Sequence, residues 1–245
     1  MMVKCIDVKK RFPVQHGYLK ETRGFVNAVD GVTLEINRGE IFGLVGESGC
    51  GKTTLGKMIL GILKPDSGKI EVGTRNLQVI FQDPQNSLDP KMRVRDIIAE
   101  GLVLKKQKIK KQVEEALDLV RLPKAALRKF PHQFSGGERQ RIAIARAVIT
   151  EPEFIVCDEP VSSLDVTVQL QILNLLKDIQ NRFYMTYLFI SHDLRVVRYM
   201  CGRVAVMKEG RIVEEGLTRE VYSDPRHPYT KILLSSVLGA GNLFL

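Results

Sequence analysis

The chain is 245 residues long and 44% apolar with no Trp, and its 37 Lys and Arg against 28 Asp and Glu give a formal charge of +9. That length buries a full core as one domain, or as one domain with a subdomain. No run reaches the ~20 apolar residues of a membrane helix, and Cys5, Cys50, Cys157 and Cys201 are too scattered for a zinc or disulfide framework. These features exclude a chain that crosses a bilayer by its own helix and suit reduced thiols in the cytosol.

The opening Met-Met-Val-Lys-Cys-Ile-Asp lacks the basic-then-apolar pattern of a leader. Residues 3–12 and 26–36 read as two strands, joined by a polar hairpin-like excursion through Gly17 and Gly24. The apolar run 41–45 predicts a buried strand, and it feeds Gly46-Glu47-Ser48-Gly49-Cys50-Gly51-Lys52-Thr53-Thr54, which fits G-x-x-x-x-G-K-[ST]. A helix is predicted to start at Thr53. Strand, glycine loop and helix start together make a triphosphate cradle: backbone N–H groups turn inward and the helix adds unpaired amides. Lys52 would reach the β- and γ-phosphates and the Thr53 hydroxyl would ligate magnesium. ATP or GTP binding follows.

Pro65-Asp66-Ser67-Gly68 is a turn, followed by short strands over 69–72 and 77–81. From about 92 to 150 the pattern turns helical, with Val113, Ala116, Leu117 and Val120 on one face and Ile142, Ala145, Ala147 and Val148 on another. The basic run 105–111 opens an exposed helix; without interleaved aromatics it does not make a nucleic-acid surface. Within this block Phe134-Ser135-Gly136-Gly137-Glu138-Arg139-Gln140 puts Ser135 at an N-cap before a helix carrying Arg139, Arg141 and Arg146. It reads as a second anion-binding helix start in a chain with one phosphate loop. The second grip is then expected to serve another subunit's nucleotide.

Residues 154–157 predict a buried strand ending in Asp158 and Glu159, where α/β folds line their ligand crevice. Asp158 suits magnesium and Glu159 an attacking water. A helix over 168–179, a buried strand over 187–190 and a terminal hairpin around Glu209-Gly210 complete the chain. Alternating strands and helices argue an α/β fold with a parallel-cored sheet. There is no internal repeat.

Taken together, these motifs resemble those of ATP-binding cassette (ABC) ATPases. Ser135-Gly136-Gly137 with Gln140 looks like the family signature, Gln82 like its Q-loop, Asp158-Glu159 like the end of Walker B, Ser163-Leu164-Asp165 like the D-loop, and His192 like the H-loop. Phe12-Pro13-Val14, the run Phe81 to Pro90 and Asp224-Pro225-Arg226-His227-Pro228-Tyr229-Thr230-Lys231 are similar to the peptide/nickel importer ATPases. The resemblance implies a P-loop NTPase (RecA-like) core over 1–81 and 152–220, with an antiparallel β-subdomain, an inserted helical signature subdomain over 82–151 and a short tail over 221–245. It implies ATP and Mg2+ as ligands, the ion being held by Thr53, Gln82 and Asp158. Glu159 would activate the water, His192 would touch the γ-phosphate, and Phe12 would stack on adenine, with Tyr18 and Phe25 as alternatives. It also implies partners: a second ATPase subunit, identical or paralogous, transmembrane permease subunits and, indirectly, a solute-binding protein. No nucleic acid is expected. The chain would lie peripherally on the cytoplasmic face of the membrane.

Two departures stand out. Glu138 replaces the family's usual Gln, which should alter ribose-side contacts without loss of activity, and no Cys follows Cys201, so no iron–sulfur cluster is expected. The alternative reading is a soluble ABC ATPase of a non-transport complex, of the carbon–phosphorus lyase type or in nucleic-acid maintenance. The interval from Gln82 to Ser135 is too short for long coiled-coil arms.

Overall fold

The computed structural model describes residues 1–16, 21–83, 87–102 and 106–238. It divides into two compact units, residues 1–75 with 188–245, and residues 76–187.

In the first unit β1 (Val3–His16) pairs antiparallel with β2 (Glu21–Ile36) and with β4 (Ser67–Val72), giving the order β2-β1-β4. Val3, Cys5, Val8, Val32, Leu34 and Ile36 are buried, so the apolar alternation marks the inner face. The β1–β2 ladder continues past the expected ends, through Val14↔Gly24 to His16↔Glu21. Gly24 is therefore a ladder residue of the hairpin. The far end of this hairpin leaves Phe12, Phe25 and Val26 exposed, and a ribbon wet on both faces carries no period-2 signal to read. Gly17 and Tyr18 lie outside the described residues.

The same unit holds β3 (Ile41–Val45), parallel to β8 (Arg203–Lys208), which turns at Glu209 and Gly210 into the antiparallel β9 (Arg211–Leu217). Leu188–Ser191 of β7 (Thr186–Ser191) lies on the other side of β3. Helix α1 (Lys52–Ile59) follows the phosphate loop, beginning one residue before the expected Thr53. Leu194–Met200 forms a helix packed so closely on β3 that a Cβ at Gly43 would lie 2.7 Å from Val197 Cγ1.

In the second unit β5 (Leu77–Ile80) runs parallel to β6 (Phe154–Asp158), with Leu77↔Phe154 in register. Between them come α2 (Val94–Ala99), α3 (Lys106–Leu119), two 3-10 turns (Lys124–Arg128 and Pro131–Gln133) and α4 (Gly136–Val148); α5 (Val166–Phe183) follows β6. The periodic residues Val113, Leu117, Val120, Ile142, Ala145 and Val148 are all buried. The division into units falls after Arg75 and Tyr187. Its physical basis is that β5 and β6 pair with each other, and that the Asn76 amide holds the carbonyls of Thr150 and Glu151 at 2.9 and 3.1 Å.

The helices after β7 are numbered α6 (Leu194–Met200), α7 (Thr218–Ser223) and α8 (Pro228–Leu238). No helix among the described residues is long and apolar enough to cross a membrane.

Candidate functional site

The buried β3 ends at Val45, and the chain then folds back into α1 through a loop whose close packing requires glycine. A Cβ at Gly46 would lie 2.1 Å from Met207 O, and one at Gly51, with φ 109°, would lie 1.9 Å from Ala28 O. The end of β8 and the middle of β2 thus wall the loop from outside. Gly51 precedes α1 without a side-chain cap, and the first turn of α1 holds no acidic residue. A helix start without an N-cap side chain or a first-turn acid is the arrangement that favours an anion.

Lys52 is 4% exposed, and its ammonium lies on the loop's own carbonyls: Nζ donates to Gly46 O at 2.7 Å and Glu47 O at 2.8 Å. Cys50 Sγ is 3.7 Å from it. Burial raises the Cys50 thiol above its ordinary value, with Lys52 opposing. Glu47, Ser48, Gly49 and Thr53 are exposed, and Thr54 is half-buried. A buried lysine and a helix start with neither a side-chain cap nor a first-turn acid fit a polyphosphate. His192 is exposed between β7 and α6. On either side Ser191 Oγ accepts from Asp193 N–H at 3.0 Å and Asp193 caps α6 through Arg195 N–H at 2.9 Å.

Sequence reasoning missed one contact here. The Glu47 N–H donates to the Tyr229 hydroxyl at 3.1 Å, across 182 positions of chain. The only local signal was the His-Pro-Tyr run itself.

In the second unit β6 delivers Asp158 half-buried at its end, and Glu159 follows with φ 49°. That left-handed conformation is uncommon for a residue with a Cβ. Ser162 fixes it, donating from both N–H (3.3 Å) and Oγ–H (3.1 Å) to Glu159 O. Ser163 and Asp165 are exposed and Leu164 half-buried; Asp165 caps α5 by accepting from Val168 N–H at 3.0 Å. Gln82 is exposed after β5.

Ser135 is the N-cap of α4, as expected, and Glu138 closes a capping box with it. The Glu138 carboxylate accepts from Ser135 N–H and from Ser135 Oγ–H, both at 2.9 Å. The Ser135 N–H bond is the main reason its carboxyl titrates below the ordinary value. Gly137 has a reason inside the chain as well: a Cβ there would lie 2.5 Å from Val168 Cγ1.

The three arginines carried by α4 make contacts inside their own unit. Arg139 donates to Pro131 O, Arg141 to Val120 O and Gln171 Oε1, and Arg146 to Ser87 O. They tie loop carbonyls to the helix and do not converge as an anion grip. Gln140 is 1% exposed, with neither side-chain polar atom hydrogen-bonded. The candidate adenine platform, Phe12, is 40% exposed with Lys10 Nζ 5.8 Å from its ring; Phe25 carries Arg11 at 4.8 Å.

Comparison with known proteins bears on the whole chain. A family described as ABC transporter matches residues 29–162. The oligopeptide transport ATP-binding protein OppF of Streptococcus mutans is 47% identical over 254 residues, covering 96% of this chain and 82% of that one. A putative peptide import ATP-binding protein of Brucella abortus is 50% identical over 256 residues, covering 96% and 76%. Among solved structures, cbiO1 of Clostridium perfringens, part of the ABC transporter complex cbiONQ, is similar with a TM-score of 0.77 at 30% identity over 91% of each chain. The cassette MJ0796, in a dimeric post-hydrolysis state with ADP and Pi, gives 0.75 at 27% identity over 89% of this chain and 99% of that one.

Proposed function

Since this chain belongs to the ABC transporter family of ATP-binding subunits, we propose that it is the ATP-hydrolysing, energy-coupling subunit of a peptide importer. The observation that carries this reading is the phosphate loop: a helix start without a cap or acid, fed by a buried strand, with a buried lysine resting on backbone carbonyls. The names of the relatives, nearly half identical along nearly the whole chain, support the peptide class of cargo.

Residue roles follow from chemistry. Lys52 exchanges the carbonyls of Gly46 and Glu47 for phosphate oxygens, and the α1 amides take the remaining charge. The Thr53 hydroxyl, the Gln82 amide oxygen and the Asp158 carboxylate are the hard oxygen donors that magnesium takes. When bound, that ion neutralises charge developing on the transferred phosphoryl group. Glu159 orients and deprotonates the water, and His192 holds the γ-phosphate end. Phe12 stacks on adenine. Ser135 and Gly137 of a second ATPase subunit, identical or paralogous, complete the site, so that ATP draws two chains together and hydrolysis releases them.

The subunit would sit peripherally on the cytoplasmic face of the membrane, against permease subunits supplied with peptide by a binding protein. In the second unit a cleft of about 410 Å³ is lined by Leu88, Met92, Glu100 and Arg146 among others, and it suits a short permease helix. Leu88 is 2% exposed and belongs to the core beneath the cleft, so it is Met92, half-buried, that a partner reaches. In vesicles holding the permeases and binding protein, peptide should stimulate hydrolysis, and Met92→Arg should abolish that stimulation and peptide uptake while sparing basal hydrolysis. Equal loss of basal hydrolysis, or no peptide stimulation of the unaltered complex, contradicts the reading.

A further inference from the structure

One peptide group of the phosphate loop is held from both sides. The Gly46 carbonyl and the Glu47 N–H belong to a single planar peptide and point in opposite directions. The carbonyl accepts from Lys52 Nζ at 2.7 Å, and the N–H donates to the Tyr229 hydroxyl at 3.1 Å. Tyr229 is 6% exposed in the first turn of α8. Its own placement is fixed three ways. The Lys208 ammonium lies 5.1 Å from its ring centroid, and its N–H donates to His227 Nδ1 at 3.2 Å. Glu214 of β9 accepts from the N–H groups of Arg226 and His227 at 2.8 and 3.0 Å, clamping the approach to α8.

From this geometry we propose that Tyr229 is a positioning residue for nucleotide binding, and that α8 is a brace on the phosphate loop whose docking is linked to nucleotide. The inference rests on the ATPase reading above. When Lys52 leaves the Gly46 carbonyl for a phosphate, that peptide loses one of its two holders. Tyr229 then alone keeps it from rotating and carrying the loop amides out of register. Linkage is reciprocal: whatever holds the loop ready for nucleotide is held more firmly once nucleotide is bound.

The test uses the full chain and Mg-ADP as probe. Tyr229→Phe keeps the ring and its packing and removes the hydroxyl that accepts from Glu47 N–H, so ADP affinity should fall about three- to tenfold, the worth of one hydrogen bond. In the hydrolysing complex KM for ATP should rise by a similar factor with kcat unchanged. Tyr222→Phe is the control for loss of a phenol hydroxyl, since half-buried Tyr222 donates to Leu194 O at 2.6 Å, away from the loop. It should leave ADP affinity unaltered. In the unmodified chain, ADP should slow amide exchange along α8. Equal ADP affinity in Tyr229→Phe and the parent chain, an equal loss in Tyr222→Phe, or exchange in α8 indifferent to ADP each overturns the proposal. Failure of the parent chain to bind ADP at all overturns the ATPase reading and the inference with it.

Discussion

Glu138 stands where the family usually has Gln, and its carboxylate spends its hydrogen-bonding capacity on Ser135. A charged acceptor at the start of a helix stabilises it by about 0.3–1 kcal/mol, so Glu138→Gln should lower stability by about that much at pH 7. Glu138 titrates below its ordinary 4.5 in the folded chain. The stabilisation is therefore complete above pH 4.5 and lost as pH falls through the lower, folded value. Denaturation midpoints of the two chains should differ at neutral pH and converge in acid; a constant gap would contradict the assignment. The same substitution removes a negative charge beside Ser135, which our reading turns toward a partner's phosphate, so ATP-driven association should tighten while the fold weakens. Ser135 as a cap was legible in the sequence because capping spans four consecutive residues. The Glu47–Tyr229 contact was not, because nothing local predicts that the chain will return to the loop 182 positions later.

Among elements, the phosphate loop is the one whose sequence and shape agree most closely, yet its glycines are not equivalent. Gly51 has a carbonyl, Ala28 O, 1.9 Å from where a Cβ would sit, whereas Gly49, at φ 84°, faces open space. Gly49→Ala should cost about 1–2 kcal/mol, the strain of a left-handed residue with a Cβ. Gly51→Ala must also displace backbone of β2, and should cost more and abolish ADP binding. Urea midpoints and ADP titrations of both variants check this, and an unshifted midpoint in Gly51→Ala would sink the packing argument. The pattern G-x-x-x-x-G-K-[ST] announces the loop, but the walls at Ala28 and Met207 come from β2 and β8, which no motif names. In the same way no motif names Pro131, Val120 and Ser87, whose carbonyls accept from the arginines of α4. The β1–β2 ladder outran its predicted ends where Phe12, Phe25 and Val26 are exposed and leave no apolar alternation to read.

At the scale of the molecule, each chain carries one triphosphate loop and one separate helix start capped by Ser135. The order of motifs along the chain made this pairing readable; the solvent-exposed position of Ser135 is consistent with a group offered to something outside. The account's central claim is that a neighbouring ATPase subunit donates part of each reaction centre. Its most direct test is the rate of ATP hydrolysis per chain across a hundredfold range of concentration, alone and with the cognate partner subunit, for the parent chain and for Ser135→Arg. The account predicts a rate per chain that climbs with chain or partner concentration and collapses in Ser135→Arg while ADP binding at the loop persists. A rate per chain that stays at its full value on dilution to monomer, and is untouched by Ser135→Arg, would contradict it.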